Sequence, residues 1–257
     1  MEVIKNTEAI ILAAGVGSRL FPKTKNTPKC LIPIGGKPIL QCQLEILLDL
    51  GIRNITIVIG YMGNKLEEFI SNNKYSEKAN FTFIENKEYA TTNSSYSLWL
   101  AKDKIRNGYL HLNSDLLFDA TLINNLFTSK NDNVVVLDRQ RYDLDMARAI
   151  IDNSYVISMG KASEFPQFDA VVVGPFLFSS QAAKTIVGKI DDDIKKGKKN
   201  SWCYLDFADM VKHNQFKLHY IDAGESYWHE IDTHEDLESA EKTYQIFLNN
   251  HNGIVGY

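Results

Sequence analysis

Ala9-Ile10-Ile11-Leu12-Ala13-Ala14 is an unbroken apolar run that stops at Gly15-Val16-Gly17-Ser18-Arg19-Leu20. Without polar alternation, such a run reads as a strand buried on both faces, as in a parallel sheet covered by helices. The rhythm continues downstream. Pro38 opens a helix with Leu40, Leu44, Leu47 and Leu48 at helical spacing, and Gly51 closes it. Residues 54–59 read as a second strand, 63–72 as a helix and 81–84 as a third strand. A helix over 94–102 follows, with Asn93 or Ser94 as its N-cap, and then a fourth strand over 109–112 that ends at Asn113-Ser114-Asp115. Alternation at these spacings predicts right-handed crossovers and an α/β fold with a Rossmann-like, doubly wound sheet.

The second half is less regular. Strands are expected over 134–137, 148–151, 155–158 and 171–178 without long helices between them, so the sheet should be mixed or carry a small accessory β region. Helices are expected over 180–190 and 202–213, a strand over 217–221, and a closing amphipathic helix over 234–248. No linker or internal repeat interrupts the 257 residues, so a single domain, 1–257, is expected.

A net charge of −4 argues against a nucleic-acid or anionic-membrane partner. The run Asp191-Asp192-Asp193 followed by Lys195-Lys196 and Lys198-Lys199 reads as a solvated loop or helix end. Cys30, Cys42 and Cys203 have no zinc-site spacing and read as reduced thiols. The segment Met1–Asn6 lacks a leader pattern and no apolar run reaches membrane-spanning length, so a cytoplasmic protein is expected.

The segment after the first strand suits phosphate. Its glycines accept positive φ and let a backbone approach a ligand closely, and successive N–H groups can cradle an anion. Arg19 adds forked donors. Gly17-Ser18-Arg19 is not the Gly-Lys-[Ser/Thr] ending of a Walker A loop. Leu20 stands where a dinucleotide fingerprint needs glycine or alanine, and Gly36-Lys37-Pro38 replaces its ribose-binding carboxylate, which argues against a nicotinamide enzyme. The plain alternative is a tight turn without a ligand. Lys29, held between Pro28 and Pro33, is either a surface lysine or a cation fixed to neutralise a reacting phosphate.

Together, Leu12–Leu20, Thr27-Pro28-Lys29-Cys30-Leu31 and Gly36-Lys37-Pro38-Ile39 resemble the motifs of the sugar-phosphate nucleotidyltransferase superfamily. Asn113-Ser114-Asp115 and Trp228-His229-Glu230-Ile231-Asp232-Thr233 resemble its two metal segments, so the resemblance runs from about residue 8 to about 245. Within the superfamily, Asn93-Ser94-Ser95-Tyr96-Ser97-Leu98 and Tyr227–Asp232 are similar to segments of the small cytidylyltransferases, whose acceptors include phosphocholine, aminoethylphosphonate and phosphoglutamine.

The resemblance implies roles. Leu12, Ala13, Ala14 and Gly15 would meet base and ribose through the backbone, with Ser94 as a further nucleotide contact. Gly17 and Arg19 would hold the β- and γ-phosphates, and Lys29 the α-phosphate. Asp115 and Asp232 would bind Mg2+, with Glu230 as a helper. Taken alone, Asp115 is a strand-end turn residue, and Asp232 is an N-cap for the last helix unless Thr233 takes that part. The implied partners are CTP and a small phosphorylated acceptor, in cell-surface or capsule polysaccharide synthesis, with a homodimer left open.

Lys161, Trp202, Tyr204 and Trp228 are the candidate acceptor contacts. Aromatic rings would suit a quaternary ammonium, although Trp202 and Phe207 also read as core. Arg139, Arg141, Arg148 and Lys161 tilt the acceptor slightly toward an amino-acid phosphate such as phosphoglutamine. Two alternatives remain: a uridylyl- or thymidylyltransferase acting on a sugar 1-phosphate, and a non-catalytic nucleotide-binding regulatory protein.

Overall fold

The computed structural model describes residues 6–141 and 146–250. The Met1–Asn6 segment, where no leader is read, lies outside them except for Asn6. The elements run β1 (Glu8–Ala13), β2 (Pro33–Ile34), β3 (Lys37–Pro38), α1 (Ile39–Asp49), β4 (Asn54–Ile59), α2 (Gly63–Asn72), β5 (Asn80–Glu85), α3 (Ser94–Leu100), α4 (Lys102–Ile105), β6 (Gly108–Asn113), β7 (Leu116–Phe118) and α5 (Ala120–Thr128). They continue with β8 (Val134–Asp138), β9 (Arg148–Asp152), β10 (Tyr155–Gly160), β11 (Ala170–Ser179), α6 (Ser180–Lys195), α7 (Cys203–Lys212), β12 (Leu218–Asp222), β13 (Trp228–Glu230) and α8 (His234–Asn250).

These elements form two compact units. Of the described residues, the first holds 6–90, 112–121 and 226–250. Its β1 pairs in parallel with β4, from Glu8↔Asn54 to Ala13↔Ile59, and β4 pairs in parallel with β5. This is the parallel sheet that the apolar run of β1 predicts. Gly51, at φ 88°, ends α1 as expected: its N–H donates to Leu48 O and that of Ile52 donates to Leu47 O, satisfying two carbonyls the helix leaves open. Leu20, Ile34, Ile39, Leu117, Ile231 and Leu237 share one buried cluster, so the loop, hairpin and C-terminal segments are packed into one core.

Of the described residues, the second unit holds 91–111, 122–141 and 146–225. Its strands lie in the order β6-β11-β8-β12-β10-β9. β11 is antiparallel to β6, β8 and β9, whereas β8 and β12 are parallel. The sheet is therefore mixed, as the missing helices predict. Phe178 and Phe176 pack against Phe207 at ring distances of 4.8 and 5.1 Å, and Phe207 is core rather than a surface ring.

Several elements depart from expectation. The helix expected over 94–102 breaks at Ala101 into α3 and α4. The β2–β3 hairpin turns on Gly35 and Gly36, both at positive φ, as a two-residue hairpin requires. β2, β3, β7 and β13 have two or three residues each, too few to show a period in sequence. α5 is a further helix that no sequence expectation covers.

Candidate active site

The first unit gathers four of the predicted residues into one chain of charges. Lys29 Nζ lies 2.8 Å from Asp115 Oδ2 and 2.5 Å from Asp232 Oδ1. The other oxygen of Asp232 lies 2.8 Å from Arg19 Nη2. Arg19 is the exposed end of the chain and Lys29 its sheltered middle, with side chains 59% and 13% accessible.

Local structure explains how each residue arrives. Gly17 adopts φ 64°, turning β1 into a short 3₁₀ turn at Ser18–Leu20 that presents Arg19. A Cβ on Gly17 would sit 3.0 Å from Lys29 Cβ, so the glycine also lets Lys29 approach the loop. Buried Thr24 fixes the same turn by donating its hydroxyl to Gly17 O at 2.8 Å. Lys29 opens another 3₁₀ turn behind Pro28, closed by Leu31 N–H to Pro28 O at 2.9 Å.

The two aspartates meet through a two-stranded sheet. β7 and β13 pair antiparallel from Trp228↔Phe118 to Glu230↔Leu116, and Ile231 N–H continues the ladder to Asp115 O at 3.0 Å. Asp115 therefore stands just before one strand and Asp232 just after the other. Asp232 does not cap α8. Thr233 Oγ1 accepts from Asp236 N–H, and Asp236 Oδ2 accepts from both Asp232 N–H and Thr233 N–H. This reciprocal cap leaves the Asp232 carboxylate for Lys29 and Arg19.

Gln43 completes the support and was not among the sequence candidates. It is buried on α1 and donates from Nε2 to Asn113 O at 2.8 Å and to Leu116 O at 2.7 Å, clamping the turn that carries Asp115. The signal was present: Gln43 is a polar residue on the face occupied by Ile39, Leu40, Ile46 and Leu47.

Burial alone would lower the Lys29 pKa, but attraction to Asp115 and Asp232 outweighs it and holds the ammonium above its ordinary value. Burial would raise Asp232, yet Lys29 and Arg19 hold it low. Glu230 is pushed up to about 8 by burial and by the charges of Asp115 and Asp232.

Asp115 Oδ1 is buried without a hydrogen-bond partner. A hard cation with oxygen ligands would satisfy it, and Mg2+ is commonly held by one or two carboxylates with phosphate and water completing the shell. Asp115 and Asp232 fit such a site. Among the described residues no group of three or more His, Cys, Asp or Glu side chains is arranged for a metal, while Glu230 feels the charges of both aspartates.

The other candidates divide. Leu12, Ala13 and Ala14 are buried, with Leu12 O accepting from Ser114 N–H and Ala14 O from Tyr61 N–H, so the accessible backbone begins at Gly15, where a Cβ would meet open space. Gly60 packs so closely under Ala14 that a Cβ there would lie 2.7 Å from Ala14 O. Ser94, Lys161, Trp202 and Tyr204 belong to the second unit. Asn93, not Ser94, caps α3 with its side chain, and Ser94 Oγ accepts from Cys203 N–H at 2.8 Å. Trp202 is exposed and lines a pocket with Lys161, whereas Tyr204 meets Trp202 edge-on without lining that pocket. Trp228 is a correction: it is 1% exposed within the β7–β13 ladder, so its ring is core and offers no wall to an acceptor.

Arg148 is also committed, donating to Ala162 O and Phe165 O and lying over the Phe168 ring. Arg141 lies 3.9 Å from the Asp138 carboxylate. The three cysteines are free and buried, and burial pushes the Cys30 and Cys203 thiols up to about 12. No described helix is long and apolar enough to cross a membrane.

Comparison with known proteins identifies the family. The nucleotidyl transferase family model matches residues 8–246. CTP:phosphoglutamine cytidylyltransferase of Campylobacter jejuni is 30% identical over 254 residues, covering 90% of this chain and 97% of that protein. Choline-phosphate cytidylyltransferase of Streptococcus pneumoniae is 31% identical over 246 residues, covering 91% and 97%. The solved structure of the pneumococcal CTP:phosphocholine cytidylyltransferase superposes with a TM-score of 0.74 at 26% identity, over 93% of this chain and 99% of that one. With its mixed α/β architecture and its paired loop and carboxylate segments, the chain belongs to the nucleotidyl transferase family and, within it, to the cytidylyltransferases.

Proposed function

We propose that the protein transfers CMP from CTP to a small phosphorylated metabolite and releases pyrophosphate, with phosphoglutamine favoured over phosphocholine or aminoethylphosphonate. The observation that carries the reading is the Arg19–Asp232–Lys29–Asp115 chain beside an open glycine loop. A phosphate monoester is already an adequate nucleophile near neutral pH, so the site needs cations and positioning rather than a general base. An acceptor phosphate oxygen forms a bond to the α-phosphorus as the bond from that phosphorus to the bridging oxygen breaks. Pyrophosphate departs with that electron pair.

The chain's own residues divide the work. Backbone around Gly15 receives the nucleoside, and Gly17 and Arg19 hold the outer phosphates. Lys29, kept protonated by its carboxylate neighbours, offsets charge on the α-phosphate. Asp115 and Asp232 would hold Mg2+, which supplies charge neutralisation to the phosphates when bound.

Pyrophosphate release with Mg2+ and CTP, UTP or dTTP across a panel of phosphorylated acceptors tests this. Release with CTP and one small acceptor is expected. Preference for UTP or dTTP with a sugar 1-phosphate would replace the reading. Lys29→Ala should lower turnover by roughly 10²–10⁴-fold, as removal of a transition-state cation does.

A further inference from the structure

In the first unit, an ion pair joins the turn after β1 to the entry of α8: Arg19 Nη2 lies 2.8 Å from Asp232 Oδ2. A second bond joins the same two segments, further along the chain on each side. His234 Nε2 stands 2.9 Å from Phe21 O. A carbonyl oxygen only accepts, so the imidazole carries a proton on Nε2 and donates it. The turn that presents Arg19 is thus clasped to α8 by a side chain at its middle and by its own backbone at its end.

We propose that His234 is a positioning residue for the phosphate-holding turn, keeping Arg19 in place for the nucleotide once Arg19 and Asp232 have parted. This inference rests on the cytidylyl-transfer reading above.

In that reading Arg19 takes the outer phosphates and Asp232 takes a cation, so the ion pair between them is given up when substrate binds. The His234 bond joins a ring N–H to a main-chain carbonyl, groups that neither phosphate nor cation claims in that reading, so it stays closed throughout. Its donor stands on a fixed base. His234 is the first residue of α8, and Thr233 and Asp236 on either side of it close the first turn with reciprocal hydrogen bonds. Leu237 N–H donates to Thr233 O at 3.2 Å, and the Leu237 side chain shares the buried cluster with Leu20.

The turn has need of such a hold. Buried Leu20 sets its depth, and Thr24 Oγ1 holds Gly17 O at its start. Leu20 N–H to Gly17 O and Phe21 N–H to Ser18 O close the turn on itself without tying it to α8. Tyr61 OH reaches Thr24 O and Lys25 O, beyond the turn. At the end of the turn the Phe21 ring is 47% exposed, so burial contributes little there. A pivot about Leu20 would carry Arg19 with it, and the His234 bond opposes that pivot.

Two measurements test the proposal. The first is amide exchange in Arg19→Ala, which opens the ion pair without nucleotide. In that background His234→Ala should speed exchange at the Leu20 and Phe21 amides roughly fivefold. His234→Gln, whose Nε2 stands the same number of bonds from Cβ, should restore it. Unchanged exchange in His234→Ala, or a loss that glutamine does not restore, overturns the proposal. The second is pyrophosphate release with Arg19 present. His234→Ala should raise the KM for CTP roughly fivefold and leave kcat and the acceptor KM unchanged, as loss of a binding contact does, and His234→Gln should restore it. An unchanged KM for CTP, or a rise shared by both substrates, would mark a purely structural role and overturn the proposal. Absence of release from wild type with every acceptor, alongside His234-dependent exchange, would overturn the transfer reading and leave the His234 hold on the turn standing.

Discussion

Lys29 and Asp232 are 203 residues apart, yet the ammonium of one lies 2.5 Å from the carboxylate of the other. The same ammonium also holds Asp115, so in this structure one lysine is shared by both carboxylates that suit a divalent cation. Lys29 thus has two tasks: in the proposed reaction it is the cation beside the α-phosphate, and in the structure it holds the two aspartates together.

Replacing Lys29 with methionine separates those tasks. Two half-sheltered carboxylates would lose their shared counter-ion, and stability should fall by about 3 kcal/mol. Mg2+ should then raise the melting temperature of Lys29→Met more than that of wild type, because no ammonium competes for the carboxylates. A thermal melt with and without MgCl₂ checks this, and equal shifts in both proteins would mean that Lys29 and the cation do not compete.

Gln43→Leu keeps the size of the buried side chain and removes both of its donors. Asn113 O and Leu116 O lose those hydrogen bonds, and stability should fall by about 2 kcal/mol. The turn carrying Asp115 should loosen as well. Urea unfolding gives the first quantity, and amide exchange in residues 113–116 gives the second. Unchanged protection there would show that the β7–β13 ladder alone fixes Asp115.

Thr233→Val removes the hydroxyl that caps α8 and should cost about 1 kcal/mol, whereas Thr233→Ser should stay within a few tenths. Asp232→Asn should leave helix stability nearly unchanged and abolish turnover, since Asp232 is not the cap. Helix loss in Asp232→Asn, seen by circular dichroism, would contradict the assignment.

Asp206 gives a pH dependence. Burial raises its pKa above the ordinary carboxylate value, against hydrogen bonds from Ser95 and Ser201 and the charge of Lys189. The folded protein therefore binds this proton more tightly than the unfolded chain. Its contribution to stability is fully present below the unfolded value of about 3.9 and is lost as pH rises through the folded value. Urea unfolding of wild type and Asp206→Asn across that window should show wild type losing stability relative to the variant as pH rises. Parallel curves would mean that Asp206 titrates alike in both states.

How much of this was legible before folding depends on the range of the interaction. The apolar run of β1, the helix punctuation at Pro38 and Gly51, and the motif residues Gly17, Arg19 and Lys29 are local signals, set by side-chain period and backbone preference. They were enough to predict the parallel strands, whereas the four charged residues that converge were singled out together only by the resemblance of their motifs to the nucleotidyltransferases. Trp228 misled because an aromatic beside a functional segment looks the same in sequence whether it faces a ligand or the core.

The sequence by itself determined the alternating α/β layout, the phosphate-suited loop and the residue types of the site, because each depends on neighbours within one or two turns of chain. Only the tertiary structure decided that Thr233 and Asp236 cap α8 and release Asp232, that Gln43 clamps the Asp115 turn, and that Lys161 and Lys198 line one cavity. Those outcomes depend on which distant groups compete for the same donor or acceptor, and that competition is settled by packing.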